Sequence, residues 1–133
     1  MEDIIFSAKQ VQGKKALFGK GRFALQNVDF ELPSGYIMGI IGENGAGKTT
    51  FFRYIMEEKK HYRGSFYLDG TDIAEDHAWS MNRIGFVSEE RLFLRQKSAR
   101  ENARMLGSFY DTFDMDQFAA VSYTHLTLPT NSL

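Results

Sequence analysis

The chain has 133 residues, 43% hydrophobic and 25% charged, with a formal net charge of −1. This is the composition of a single domain able to bury a core, and the near-neutral balance argues against a large nucleic-acid-binding surface, so no nucleic-acid partner is expected. No cysteine is present, which excludes disulfides and cysteine-ligated zinc and points to a reducing cytosol. The acidic start Met1-Glu2-Asp3 is unlike a signal peptide, and the apolar runs are too short to span a bilayer. Any membrane association is therefore expected through a partner.

In chain order, Ile4-Ile5-Phe6 and Ala16-Leu17-Phe18 have β character, with Gly13-Lys14 and Gly19-Lys20-Gly21 as turns. Val28-Asp29-Phe30-Glu31-Leu32 alternates apolar and acidic residues, the pattern of a half-exposed strand. Pro33-Ser34-Gly35 is a turn. The nearly unbroken apolar run Tyr36-Ile37-Met38-Gly39-Ile40-Ile41 then predicts a strand buried on both faces of a parallel sheet. The expectation is an antiparallel β layer leading into a parallel α/β core.

Gly42-Glu43-Asn44-Gly45-Ala46-Gly47-Lys48-Thr49, followed by Thr50, fits the phosphate-loop pattern of glycine, four residues, then Gly-Lys-Ser/Thr. Gly42, Gly45 and Gly47 allow close backbone approach, so the loop N–H groups can form a concave anion site. Thr49 to Glu58 contains no Gly or Pro and sets Phe51, Phe52 and Ile55 at helical spacing, and the start of that helix adds its positive end. Lys48 can reach the β- and γ-phosphates of a nucleotide, and the Thr49 hydroxyl can ligate Mg²⁺. Strand, loop and helix together point to nucleotide binding.

Beyond the helix, Gly64 to Ile73 reads as a short strand with an Asp69-Gly70 turn. His61 and His77 lack a second ligand at metal spacing and read as surface residues, and Trp79 reads as packing. Ile84 to Val87 predicts a second buried strand ending at Ser88-Glu89-Glu90. Arg91, Arg95, Lys97, Arg100 and Arg104 follow, interleaved with Leu92, Phe93 and Leu94. Ser98 with Glu101 three residues on predicts a capped helix to about Tyr110, carrying Ala99, Ala103 and Leu106 on one face. Asp114 can cap a further helix from Met115.

The lead-in Phe23 to Phe30, Leu32-Pro33-Ser34-Gly35-Tyr36 and the loop through Thr50 together resemble the ATP-binding subunit of an ABC transporter. The resemblance implies a partial P-loop NTPase core with an N-terminal antiparallel β layer and the start of a helical subdomain. It implies ATP and Mg²⁺ as cofactors, with Gly42, Glu43, Asn44, Gly45, Ala46, Gly47, Lys48, Thr49 and Thr50 around the phosphates. Phe18 stands where the family stacks an aromatic on adenine, although a core role in the β layer is the alternative. Glu89 stands where the family usually has Gln, in contact with Mg²⁺ and the attacking water, with Glu90 as the register alternative. Lys48 and Glu89 are thus the candidate catalytic residues, and Thr49 and Glu89 the candidate metal ligands. Implied partners are membrane-spanning transporter subunits, docking near the basic run, and a second nucleotide-binding subunit in a dimer. The implied location is the cytoplasmic face of the cell membrane. The passage Phe109 to Asp114 is similar to ABC-2-type exporter ATPases.

Val121 to Thr130 back-translates to a string resembling a sequencing-library transposon adapter, so residues 121–133 are expected to be a non-native tail after a truncated ATP-binding domain at 1–120. No Leu-Ser-Gly-Gly-like stretch and no apolar run ending in Asp-Glu follows the loop. The chain as it stands is therefore expected to cradle phosphates without the general base that activates water. Two other readings are a soluble ABC-type ATPase acting in translation and an inactive truncated fragment. A third, a different P-loop enzyme such as a small-molecule kinase, is disfavoured by the lead-in.

Overall fold

The computed structural model describes residues 3–14, 25–43, 47–88 and 93–125. The chain divides into two compact units, Met1–Met81 and Asn82–Leu133.

In the first unit, β1 (Ile4–Gly13), β2 (Val28–Pro33), β3 (Tyr62–Leu68) and β4 (Thr71–Asp72) form an antiparallel sheet in the order β2-β1-β3-β4. Two helices accompany it, α1 (Lys48–Met56) and α2 (His77–Met81). One face of the sheet is apolar because alternate residues share a side. Ala8 pairs with Phe30 on β2 and Phe66 on β3, and Phe6 pairs with Leu32 and Leu68. The small Ala8 between two phenylalanines leaves room for Phe51 of α1, whose ring lies 5.9 Å from Phe30 and 5.6 Å from Phe66. Tyr54 meets Tyr62 at 5.4 Å and Tyr62 meets Phe66 at 5.1 Å, extending the aromatic cluster along the helix. Val11, Tyr62, Phe66 and Ile73 are essentially sealed from solvent. Burying each such side chain contributes about 1.5–3 kcal/mol.

The strongest local constraint lies where β1 bulges between Lys9 and Gln12, opposite Gly64. Gln10 has φ 50 there, and its N–H donates to Asp29 Oδ1 at 2.8 Å. Gly64 has φ +81, and a Cβ at this position would lie 2.3 Å from the Gln10 carbonyl oxygen. Only glycine fits that backbone and that approach. The predicted Asp69-Gly70 turn forms as well, with both residues at positive φ (48 and 77), joining β3 to β4.

The second unit holds α3 (Ala99–Gly107) and α4 (Met115–His125). The capping box forms as the sequence predicts: Glu101 N–H donates to Ser98 Oγ at 3.2 Å, and Ser98 N–H donates to Glu101 Oε2 at 2.8 Å. Asp114 Oδ1 accepts from the N–H groups of Asp116 (2.7 Å) and Gln117 (3.1 Å), capping α4. Phe113 lies against Gly107, where an added Cβ would meet its ring at 2.0 Å. Asn82 Oδ1 accepts from Asp111 N–H at 3.0 Å, and Tyr110 Oη donates to the Ile84 carbonyl at 3.3 Å.

Several elements differ from expectation. Residues 36–41 and 84–87 belong to no strand, and the described sheet is wholly antiparallel. Ile37 and Ile41 are 100% and 99% exposed and Val87 is 94% exposed. A strand buried on both faces needs a ladder of hydrogen-bonded neighbours and a covering layer, and the described four-stranded sheet includes neither run. On α1 the buried residues are Phe51, Tyr54 and Ile55, while Phe52 is exposed. The sheet beneath is met by the stripe i, i+3, i+4, which Tyr54 completes and Phe52 does not. α3 ends at Gly107 rather than near Tyr110, and Phe113 fills the space above that glycine. α4 runs without interruption through position 120 to His125.

Candidate phosphate-binding site

The site is built from the start of α1. Gly47 takes φ 100, a left-handed conformation that side chains resist, and turns the chain into the helix. Its carbonyl accepts the first helical hydrogen bond, from Phe51 N–H at 2.8 Å. Phe51 is also the ring that docks on Phe30 and Phe66, so one residue joins the loop's end to the aromatic core. The far end of α1 is closed by Glu57 N–H donating to the Arg53 carbonyl at 2.9 Å. His77 Nε2 lies 3.2 Å from the Met56 carbonyl at that end, and His61 is exposed.

The ammonium of Lys48 turns back toward the loop. Nζ donates to the Gly42 carbonyl and lies 3.4 Å from the Glu43 carbonyl. Residue 42 and residue 48 thus face each other across the loop they bound. The first turn of α1 contains no acidic side chain, and its leading N–H groups have no acceptor within the helix by geometry. The helix dipole places roughly half a positive charge at this end, and Lys48 adds a full one. Gly42, Glu43 and Thr49 are exposed, Lys48 and Thr50 are half-buried, and Gly47 is buried. This donor set is cationic, rich in N–H and open to solvent, which fits a phosphate group. The Thr49 hydroxyl, exposed beside Lys48, is a hard oxygen ligand suited to Mg²⁺.

Lys48 thus meets the backbone of Gly42 and Glu43, and Gly47 turns the chain into the helix that Thr49 and Thr50 continue. Phe18, Asn44, Gly45, Ala46, Glu89 and Glu90 lie outside the described residues. Sequence reasoning missed that Tyr54 and Phe66 support the helix carrying Lys48. Alternation in Tyr62–Leu68 signals that support, since Tyr62, Phe66 and Leu68 share one face.

Comparison with known proteins places the chain. The profile of the ABC transporter family matches residues 25–131. The chain is 37% identical over 89 residues to the ABC transporter ATP-binding protein NatA of Bacillus subtilis, covering 65% of this chain and 36% of that protein. It is 31% identical over 100 residues to the lipopolysaccharide export system ATP-binding protein LptB of Escherichia coli, covering 74% and 42% respectively. It is 44% identical over 91 residues to the methionine import ATP-binding protein MetN of Histophilus somni, covering 65% and 26%. A solved structure of an ATP-binding subunit of an ABC transporter superposes with a TM-score of 0.69 at 20% identity, over 86% of this chain and 46% of the other. The fold is thus shared, and the chain spans less than half the length of these relatives. Among the described residues no helix is long and apolar enough to cross a membrane.

Proposed function

The chain belongs to the ABC transporter family of ATP-binding domains, and from that premise we propose that it binds ATP with Mg²⁺ at the loop Gly42–Thr49, as part of an ATPase subunit that powers transport across a membrane. The observation that carries this reading is Lys48 at the start of α1, its ammonium directed at the carbonyls of Gly42 and Glu43 across the loop. Those carbonyls are weak competitors for a phosphate, which offers the ammonium a charged acceptor.

In this reading the backbone N–H groups of the loop and first helical turn hold the phosphates, Lys48 neutralises their charge, and Thr49 ligates the metal. Mg²⁺, when bound, supplies charge stabilisation at the phosphoryl oxygens. Phe18 stacks on the adenine, and Glu89 completes the metal and water contacts. Residues 1–120 supply this half of the domain and residues 121–133 are a non-native tail. The partners are membrane-spanning subunits, met through the basic segment near Arg95 to Arg104, and a second nucleotide-binding subunit. The working place is the cytoplasmic face of the membrane.

The test is calorimetric titration of the chain with MgATP. Binding is expected, at least tenfold weaker in Lys48→Ala and dependent on Mg²⁺ through Thr49, with no sustained phosphate release. Equal affinity in the wild-type chain and Lys48→Ala would remove the site assignment. Steady hydrolysis would show that the chain is catalytically complete.

A further inference from the structure

We propose that Asn102 is a positioning residue that holds the segment 93–98 in the shape on which a partner docks; the inference rests on the reading that this basic segment meets a membrane subunit. Asn102 sits inside α3, is only 5% exposed, and uses its whole side-chain amide on that segment. Oδ1 accepts from Leu94 N–H at 2.8 Å. Nδ2 donates to the carbonyls of Leu94 at 3.0 Å, Lys97 at 3.2 Å and Ser98 at 3.0 Å. With two N–H bonds for three acceptors, one hydrogen is shared. Both backbone groups of Leu94 are thus engaged by one side chain, as a neighbouring strand would engage them.

The cost of this arrangement argues for a purpose. Asn is a poor helix-interior residue, because its amide competes for backbone groups. Here that competition is directed outward, at a segment whose own structure is one turn, with Lys97 N–H donating to the Leu94 carbonyl at 3.0 Å. A helix-favouring Leu or Ala would leave Leu94 N–H and the Lys97 carbonyl without these bonds.

What the clamp presents is chemically distinctive. Phe93 and Leu94 are 64% and 45% exposed and border an apolar hollow of about 620 Å³ with Ala103, Leu106, Phe113 and Phe118. Arg95 and Lys97 line its edge and are exposed, Lys97 in an ion pair with Glu101 at 3.5 Å, and Arg100 and Arg104 are exposed on α3. An apolar hollow with a cationic rim fits one occupant by charge complementarity: an amphipathic helix with acidic flanks.

The test uses the whole chain and two readouts. Amide hydrogen exchange at Leu94 is expected to quicken at least tenfold in Asn102→Asp, which keeps the size and the Oδ1 acceptor but turns the donor into an acceptor facing three carbonyls. Exchange in β1, β3 and α4 should not change; Asn102→Ala provides a second variant judged by the same criterion. The second readout is fluorescence anisotropy with a labelled amphipathic helix of about 15 residues, Leu on one face and Glu at both flanks. Its Kd should weaken at least tenfold in Asn102→Asp, and the same helix with Lys flanks should bind at least tenfold more weakly to the wild-type chain. Unchanged Leu94 exchange in both variants, or an unchanged Kd with quickened exchange, overturns the positioning role. Failure of the wild-type chain to prefer the Glu-flanked helix instead overturns the docking reading, while the Leu94 exchange still decides the clamp.

Discussion

The two units are held together by different physics. Every described apolar side chain that is fully buried lies between Ala8 and Ile73, in the first unit. There the rings of Phe6, Phe30, Phe51, Tyr54, Tyr62 and Phe66 form one cluster on a four-stranded sheet. In the second unit the buried residues of α3 are Asn102 and Gly107; beside the Phe113–Phe118 ring contact, Asn82, Ser98, Glu101, Asn102 and Asp114 all make side-chain hydrogen bonds. Burial contributes stability in proportion to area removed from water. A hydrogen bond contributes only about 0.5–1.5 kcal/mol net but fixes direction. The first unit is thus built for stability and carries Lys48 and the start of α1; the second is shaped by direction and presents a surface.

The sharpest way to break this contrast is Phe66→Ala. Phe66 is sealed from solvent and touches the rings of Phe6, Phe51 and Tyr62, so the loss should be about 3–5 kcal/mol, read from urea unfolding. Nucleotide affinity should fall with it, because Phe51 holds the start of α1. A loss below about 1 kcal/mol would mean the cluster is not what stabilises the unit.

Next in size is Gly64→Ala, where a strained positive φ and the Gln10 carbonyl both oppose a Cβ. A loss of about 2 kcal/mol is expected, with β1 and β3 amides losing protection together. The same substitution at Gly70, which has open space around it, should cost less.

A pH scan probes the same core. Burial, with a smaller contribution from the Asp72 charge, pushes the Tyr62 phenol up to about 12. The unfolded phenol ionises near 10, so the folded state holds the proton more tightly. The contribution is fully present below about pH 10 and is lost as pH rises toward 12, on the order of 2 kcal/mol. Tyr62→Phe should remove that part of the alkaline slope, checked by thermal unfolding from pH 9 to 12.

The smallest effect belongs to the second unit. Ser98→Ala should destabilise α3 by about 1 kcal/mol and leave β1 and β3 exchange rates unchanged. The Glu101 carboxyl is held below its ordinary value, first by the Ser98 backbone N–H and then by the Ser98 hydroxyl. That capping contribution is present above the unfolded carboxylate value, about 4.3, and is lost as pH falls through the lower folded value. Loss of α3 protection at acid pH in the wild-type chain, reduced in Ser98→Ala, which keeps the backbone N–H, and absent in Glu101→Gln, would confirm the difference in kind between the units.

Local chemistry was readable without coordinates. Gly47 with the run from Lys48 marked a helix start, Ser98 with Glu101 a capping box, Asp69-Gly70 a hairpin turn, and Val28 to Leu32 a half-exposed strand. Each rests on interactions within a few residues, so the residue types suffice. Tyr36 to Ile41 and Ile84 to Val87 show the opposite case. Their composition states that they should be buried in a sheet, but strand formation depends on partners elsewhere, and the described sheet does not include them. Tertiary structure likewise decided that Tyr54 rather than Phe52 faces the sheet and that Ala8 makes room for Phe51. It also decided that Asn102 turns its amide onto Leu94. These are long-range choices, settled by shape and unsatisfied backbone groups rather than by local preference.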